Sequence, residues 1–239
     1  NYFQHVGNEC RRLREKVGVI DLTPFTKFEV TGPGAEGWLD SLVENKVPTK
    51  VGRIALCHAL TQRGGIRSEF TITKLADHHY YVVSAGAAER YDSDFLQKRL
   101  PTDGSVALRN ITGSRGVFVL AGPRARDVMA KLTDVPLDNA SFPWLTGQVI
   151  EAGLATDVYA LRVNFVGALG WELHFPIEYA HGLFDAIFAA GAECGIGMAG
   201  MRAMESLRME KSYRMWGSDL TRDNTPLEGG LARFVRMDK

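Results

Sequence analysis

The sequence predicts an α+β protein built as two lobes sharing one sheet system, and three observations carry that prediction. Strand-length stretches of alternating apolar residues come in pairs, and helix-length stretches of 3.6-residue period lie apart from them. Glycine (25) and proline (9) punctuate the chain into short elements throughout, with no internal repeat or low-complexity segment.

Residues 27–31 alternate with Phe28 and Val30 on one face, which predicts a strand. Gly32-Pro33-Gly34 then turns into a helix carrying Trp38, Leu39, Leu42 and Val43. A second strand-rich block covers residues 56–84, with a glycine turn at Gly64-Gly65, alternation over 69–73 and the aromatic run Tyr80-Tyr81-Val82-Val83. Residues 86–100 predict a helix, and 117–120 a compact apolar strand. Gly122-Pro123 opens a further helix with Val128, Met129 and Leu132 behind it.

Apolar alternation at Tyr159, Leu161, Val163 and Phe165 predicts a strand over 159–165. After Gly167 and Gly170 a short strand turns Trp171, Leu173 and Phe175 one way, leaving Glu172 and His174 on the other face. Ala180, Leu183, Phe184, Ile187 and Phe188 follow helical spacing, and a last helix covers 198–214.

Composition excludes several classes. The 239 residues balance 28 Lys and Arg against 28 Asp and Glu, so no basic excess points to nucleic acid, and Arg11, Arg12 and Arg14 make the longest basic cluster. No apolar run approaches the ~20 residues of a membrane span, and no charged leader opens the sequence. Cys10, Cys57 and Cys194 are few, odd in number and scattered, against a zinc site or disulfide framework. These features predict an intracellular protein without nucleic-acid, membrane or metal partners. A start at Asn1 and an end directly after an amphipathic stretch suggest a piece of something longer, with an apolar face at Leu231, Phe234 and Val235 left exposed.

Three polar placements could carry chemistry. In GGIRSEF (64–70) a flexible turn lets backbone approach a ligand and sets Glu69 at the mouth of a strand, although spacing alone favours a solvated edge carboxylate. In GALGWE (167–172) a glycine-flanked turn delivers Glu172 beside Trp171, with His174 two residues on. Such a carboxylate can accept two N–H donors from a flat heterocycle, or simply belong to a hairpin with Trp171 in the core. In the last helix Arg208 shares a stripe with Met201 and Met204. A charge there calls for a partner, most simply a carboxylate from another element, with the methionines as core filler.

Five separated motifs in order give these residues a family likeness. VGVIDLTPF (17–25), GGIRSEF (64–70), LAGPRAR (120–126), GWEL (170–173) and LRMEK (207–211) together resemble the folate-binding aminomethyltransferases, the T-protein of the glycine cleavage system. YRMWGSDL (213–220) with TPLEGGL (225–231) is most similar to the branch fused to flavin oxidases and dehydrogenases of dimethylglycine and sarcosine.

The likeness covers all 239 residues as one domain. It implies two interleaved α/β lobes around a central ligand hole, with the family's C-terminal β-barrel lobe beyond this chain and a flavin domain ahead of it in cis. Tetrahydrofolate would be the bound cofactor, with FAD in the part not present here and a methylated amine as the other substrate. Glu69 matches the working carboxylate of the family's GGIxDD motif, Ser68 holding the first acidic place. Glu172 matches the pterin-binding glutamate, and Phe165, Gly65, Trp171 and Arg208 complete the implied cofactor surface.

Three positions depart from the family pattern. Phe165 replaces a tyrosine, Ala168 a glutamate, and Met204 an arginine that helps hold folate, with Arg202 and Arg208 close enough in sequence to substitute. The implied activity is one-carbon acceptance within a flavin-dependent N-demethylating enzyme, forming methylene-tetrahydrofolate in the cytoplasm, or in the mitochondrial matrix of a eukaryote. Rival implications are a free-standing aminomethyltransferase, a folate-dependent O- or S-demethylase, and a non-catalytic folate-binding module.

Overall fold

The computed structural model describes all 239 residues. In chain order the elements are α1 (Phe3–Glu15), β1 (Gly18–Asp21), β2 (Thr26–Thr31), α2 (Ala35–Leu42), β3 (Ile54–Leu60), β4 (Ile66–Ala76), β5 (His79–Ser84) and α3 (Glu89–Gln97). There follow β6 (Ala107–Asn110), β7 (Arg115–Ala121), α4 (Ala125–Met129), β8 (Gly147–Ala152), β9 (Ala155–Leu161), β10 (Gly170–Pro176), α5 (Ala180–Gly191), β11 (Gly197–Met198) and α6 (Met201–Glu210).

The chain divides into two units and visits each twice: residues 1–24 with 113–213, and residues 25–112 with 214–239. The interleaving matches the expectation, but the single shared sheet does not. Each unit owns a separate open sheet, and neither closes into a barrel.

In the first unit six strands run in the order β11-β1-β7-β10-β9-β8, antiparallel throughout except for the β11–β1 pair. Trp171, Leu173 and Phe175 of β10 join Leu120 of β7 in a core closed by Val128 and Met129 of α4 and Leu183 and Ile187 of α5. Each such large side chain taken fully from water contributes roughly 1.5–3 kcal/mol. In the second unit the order is β3-β4-β5-β2-β6, all antiparallel. Phe28, Phe70, Ile72 and Val82 pack there against Trp38 and Leu39 of α2 and Phe95 and Leu96 of α3.

Several element ends differ from the sequence expectation, each for a local reason. The strand predicted over 159–165 stops at Leu161, where the Val163 N–H donates back to the Leu161 carbonyl at 2.8 Å and diverts the chain. The last helix spans only Met201–Glu210, because Ser212 adopts φ 55° and the Tyr213 N–H closes onto the Arg208 carbonyl. Met201 is exposed rather than core, while Met204 is buried. The helix predicted over 86–100 begins as a 3-10 turn at Gly86–Ala88 and is α-helical only to Gln97, three residues short of Leu100, which Pro101 biases away from helix.

The expected exposed apolar face at the end of the chain is also corrected. Leu231 is buried against Ile66 and Leu220, with Phe234 packed on the same cluster and Val235 half-buried.

Candidate functional site

Glu69 lies inside a strand rather than at its mouth: β3 and β4 form a hairpin that pairs Glu69 directly with His58. The turn between them is tied by Thr61, whose hydroxyl accepts the Gly65 N–H at 3.0 Å and whose own N–H donates to the Gly65 carbonyl at 2.8 Å. Glycine is required at 65 because a Cβ there would sit 1.8 Å from the Arg222 carbonyl oxygen. The space above Gly65 is thus filled by the chain's own backbone. That corrects its expected place on the ligand surface.

His58 is fully buried, and both ring nitrogens meet carboxylates. Nδ1 lies 2.7 Å from Glu44 Oε1, and Nε2 lies 3.2 Å from Glu69 Oε2. Burial alone would lower the imidazole pKa, but hydrogen bonds and charge from Glu44 and Glu69 outweigh it and lift the ring from its usual 6.5 to about 9. His58 is therefore a cation at neutral pH. Glu44, 5% exposed, also accepts the His58 backbone N–H, whereas Glu69 is 25% exposed and its Oε1 has no protein partner.

Ser68 faces away from Glu69, as strand alternation requires, and donates its hydroxyl to Asp92 Oδ1 at 2.6 Å. Asp92 is almost fully buried, which pushes its carboxyl above the usual range, and Arg67 lies 3.8 Å away. The motif's first acidic place therefore lies on the face opposite Glu69 and His58, where its serine is taken up by Asp92.

In the first unit β10 is buried on both faces. Gly170 opens it where a Cβ would come within 2.5 Å of the Leu120 carbonyl, so glycine lets β10 and β7 close together. Trp171 is fully buried and packs edge-on to Phe142, ring centroids 6.0 Å apart. It supports the strand from the core, which corrects its expected place on the ligand surface. On the other face His174 Nε2 lies 3.2 Å from Glu172 Oε2. The Glu172 side chain keeps 11% exposure, and its Oε1 has no protein partner.

The 164–168 turn is organised by a residue the sequence reading passed over. Asn164 accepts the N–H groups of Val166 and Gly167 at 3.1 Å each and donates to the Ala168 carbonyl at 2.8 Å. Phe165, half-buried, stacks on Tyr213 with ring centroids 5.8 Å apart. Arg208 donates to the Tyr213 carbonyl at 2.8 Å and pairs with Glu205 of its own helix. Its guanidinium thereby holds the residue on which Phe165 rests. Arg202, by contrast, is exposed and lies over the Tyr2 ring.

Two of the expected residues, Glu69 and Glu172, therefore share one arrangement: a histidine holds one carboxylate oxygen and the other oxygen is unengaged. Sequence reading missed Glu44 and His58. Counting outward from Gly64-Gly65 sets residue 60 opposite 69; an off-centre turn and an irregularity at Ala59/Leu60 bring His58 there instead, so the sequence alone did not carry that signal. A shallow hollow of about 790 Å³ bordered by Thr133, Asp134, Glu151 and Asp157 contains neither candidate carboxylate.

The family model for the GCVT N-terminal domain matches residues 1–239. The chain is 37% identical over 240 residues to mitochondrial dimethylglycine dehydrogenase of Mus musculus, and 33% identical over 241 residues to the mitochondrial pyruvate dehydrogenase phosphatase regulatory subunit of the same species. Each alignment covers all of this chain and 27% of the relative, so the chain spans about a quarter of those proteins. The crystal structure of glycine cleavage system aminomethyltransferase T from Bartonella henselae superposes with TM-score 0.86 at 25% identity, covering 98% of this chain and 61% of that one. With every residue inside the family match and the two-sheet fold reproduced in a solved aminomethyltransferase, this chain belongs to the GCVT aminomethyltransferase domain family.

Proposed function

We propose that this domain binds tetrahydrofolate and serves as the one-carbon acceptor part of a flavin-dependent enzyme that demethylates an N-methyl amine of the dimethylglycine or sarcosine type. The observation that carries the reading is the pair of carboxylates, Glu69 and Glu172, each fixed through one oxygen by a histidine and unengaged at the other. Their chemistry fits a reduced pterin, whose flat edge offers adjacent N–H donors and whose reaction passes through positive charge. Tetrahydrofolate, when bound, supplies the nitrogens that take up a one-carbon unit at the oxidation level of formaldehyde, giving methylene-tetrahydrofolate.

Glu172, nearly buried on a rigid strand, orients the pterin by accepting its N–H donors. Glu69 faces developing positive charge with a fixed negative one, and its unengaged Oε1 takes up the proton released as the one-carbon unit is secured. Phe165, stacked on Tyr213, presents an apolar ring where the family has a phenol. The likeness to dimethylglycine dehydrogenase supports an oxidising flavin part in cis, and a mitochondrial matrix location if the source is eukaryotic, cytoplasmic otherwise.

A second reading has its own support. The regulatory subunit of pyruvate dehydrogenase phosphatase is nearly as similar to this chain, and Phe165, Ala168 and Met204 depart from the aminomethyltransferase pattern. A non-catalytic folate-binding module would account for both. Titration of tetrahydrofolate into the full-length protein, followed by assay of methylene-tetrahydrofolate formed from formaldehyde above the uncatalysed background, separates the readings. Binding with turnover supports the acceptor function, binding without turnover the module, and absence of binding overturns both.

A further inference from the structure

We propose that His58 is a positioning residue for the one-carbon step, clamping Glu69 by Oε2 so that Oε1 is presented in one orientation, and that Glu44 holds His58 in the form able to do this. The inference rests on the role given to Glu69 above and deepens it.

The argument starts from hydrogen counting. An imidazole has two ring nitrogens and, when neutral, one N–H. Here both nitrogens lie against carboxylate oxygens, at 2.7 Å and 3.2 Å, and a carboxylate cannot donate. Both contacts are hydrogen bonds only while the ring is an imidazolium. Once it loses a proton, one contact sets a nitrogen lone pair against an oxygen lone pair.

Geometry decides which contact fails. Glu44 is the closer and more buried partner, and it is also held by the His58 backbone N–H. Glu69 is a quarter exposed and has only the ring. The remaining proton therefore stays toward Glu44, and Glu69 is released toward water. The other surroundings do not compensate: Phe234 meets the ring edge-on at 6.3 Å, and the neighbouring Arg233 lies over that phenyl ring. Cys57, next along β3, is a buried thiol whose pKa is pushed up by desolvation, so it is uncharged. The high titration of His58, near 9, keeps the clamp closed at physiological pH.

The test is the pH profile, from 6 to 10, of methylene-tetrahydrofolate formation from formaldehyde by the full-length protein, with kcat and the KM for tetrahydrofolate resolved. In the parent, kcat should fall on the basic side near 9. Glu44→Gln removes the charge that supports the imidazolium, so the basic limb should move down by about one pH unit or more while KM stays within about twofold. His58→Gln keeps an N–H donor for Glu69 that does not titrate, so the basic limb should vanish while kcat stays within about tenfold of the parent. His58→Leu should lower kcat about a hundredfold at every pH.

Rescue by Gln but not Leu separates positioning from folding. If Glu69→Gln slows the reaction but the basic limb stays in place in both Glu44→Gln and His58→Gln, the clamp is wrong and the role of Glu69 stands. If Glu69→Gln leaves the rate unchanged, the role of Glu69 falls and the clamp with it.

Discussion

His58 and Glu69 face each other across adjacent strands with 3.2 Å between Nε2 and Oε2, and His174 with Glu172 repeats that contact within a single strand. In each pair the acid is the more exposed member and the histidine is fully buried. Carboxylates held in this way keep their direction without losing acceptor capacity, which is the condition a reader of N–H donors or a proton acceptor needs.

Glu172→Ala in the full-length protein should weaken tetrahydrofolate binding by roughly 2–3 kcal/mol, the cost of losing a charged partner from a nearly buried hydrogen bond. Isothermal titration calorimetry reads this directly. Parent-like affinity in the variant would remove Glu172 from pterin recognition.

Glu69→Gln keeps the shape of the side chain and one acceptor but loses the negative charge and the basic site. Folding and most folate affinity should survive, and the rate of methylene-tetrahydrofolate formation should drop by about 10²-fold or more. Equal turnover by the two proteins under single-turnover conditions would exclude Glu69 from the chemistry.

Stability should depend on pH through His58. Its folded-state pKa lies at about 9, above the usual 6.5, so the folded protein holds this proton more tightly than the unfolded chain. The stabilisation is fully present below about pH 6.5 and is lost as pH rises through 9, a difference of a few kcal/mol. Denaturant midpoints measured from pH 6 to 10 should fall across that window in the parent and much less in Glu44→Gln. A decline of equal size in both would show that another group titrates.

Gly65→Ala drives a methyl group to 1.8 Å from the Arg222 carbonyl oxygen, and that atom is backbone, which cannot rotate away. Overpacking of this kind costs about 1–3 kcal/mol or more, so the thermal midpoint should drop by several degrees. Gly37→Ala, where nothing lies within 4 Å, is the matched control and should not be destabilised.

The residues that were legible in the sequence are those whose environment is set by near neighbours. Alternation placed Trp171, Leu173 and Phe175 on one face of β10 and turned Glu172 and His174 to the other, as the strand has it. The helix with Trp38 and Leu39 followed from its Gly-Pro-Gly start in the same way. What failed depended on distant residues. Gly65 looked like room for a ligand because Arg222, which fills that room, comes more than 150 positions later. Arg208 pairs with Glu205 of its own helix, a contact that depends on rotamers that spacing does not determine. Glu44 lies 14 positions from His58 and outside the hairpin, and only the folded chain brings it under the ring.

The interleaved path of the chain sets an order on biosynthesis. Most of the second unit is one continuous run, residues 25–112, whose five strands pair antiparallel within that run. The first unit cannot be completed in this way, since β1 pairs with β7 about a hundred positions later and with β11 nearly 180 later. Lengthening a closing loop tenfold costs about 2 kcal/mol of chain entropy, and a ribosome adding ~5–20 residues per second leaves Val19 and Ile20 unpaired for roughly 5–20 seconds. An apolar strand held open for that time is a template for any passing sheet edge, so the nascent domain is most exposed to misassembly at β1.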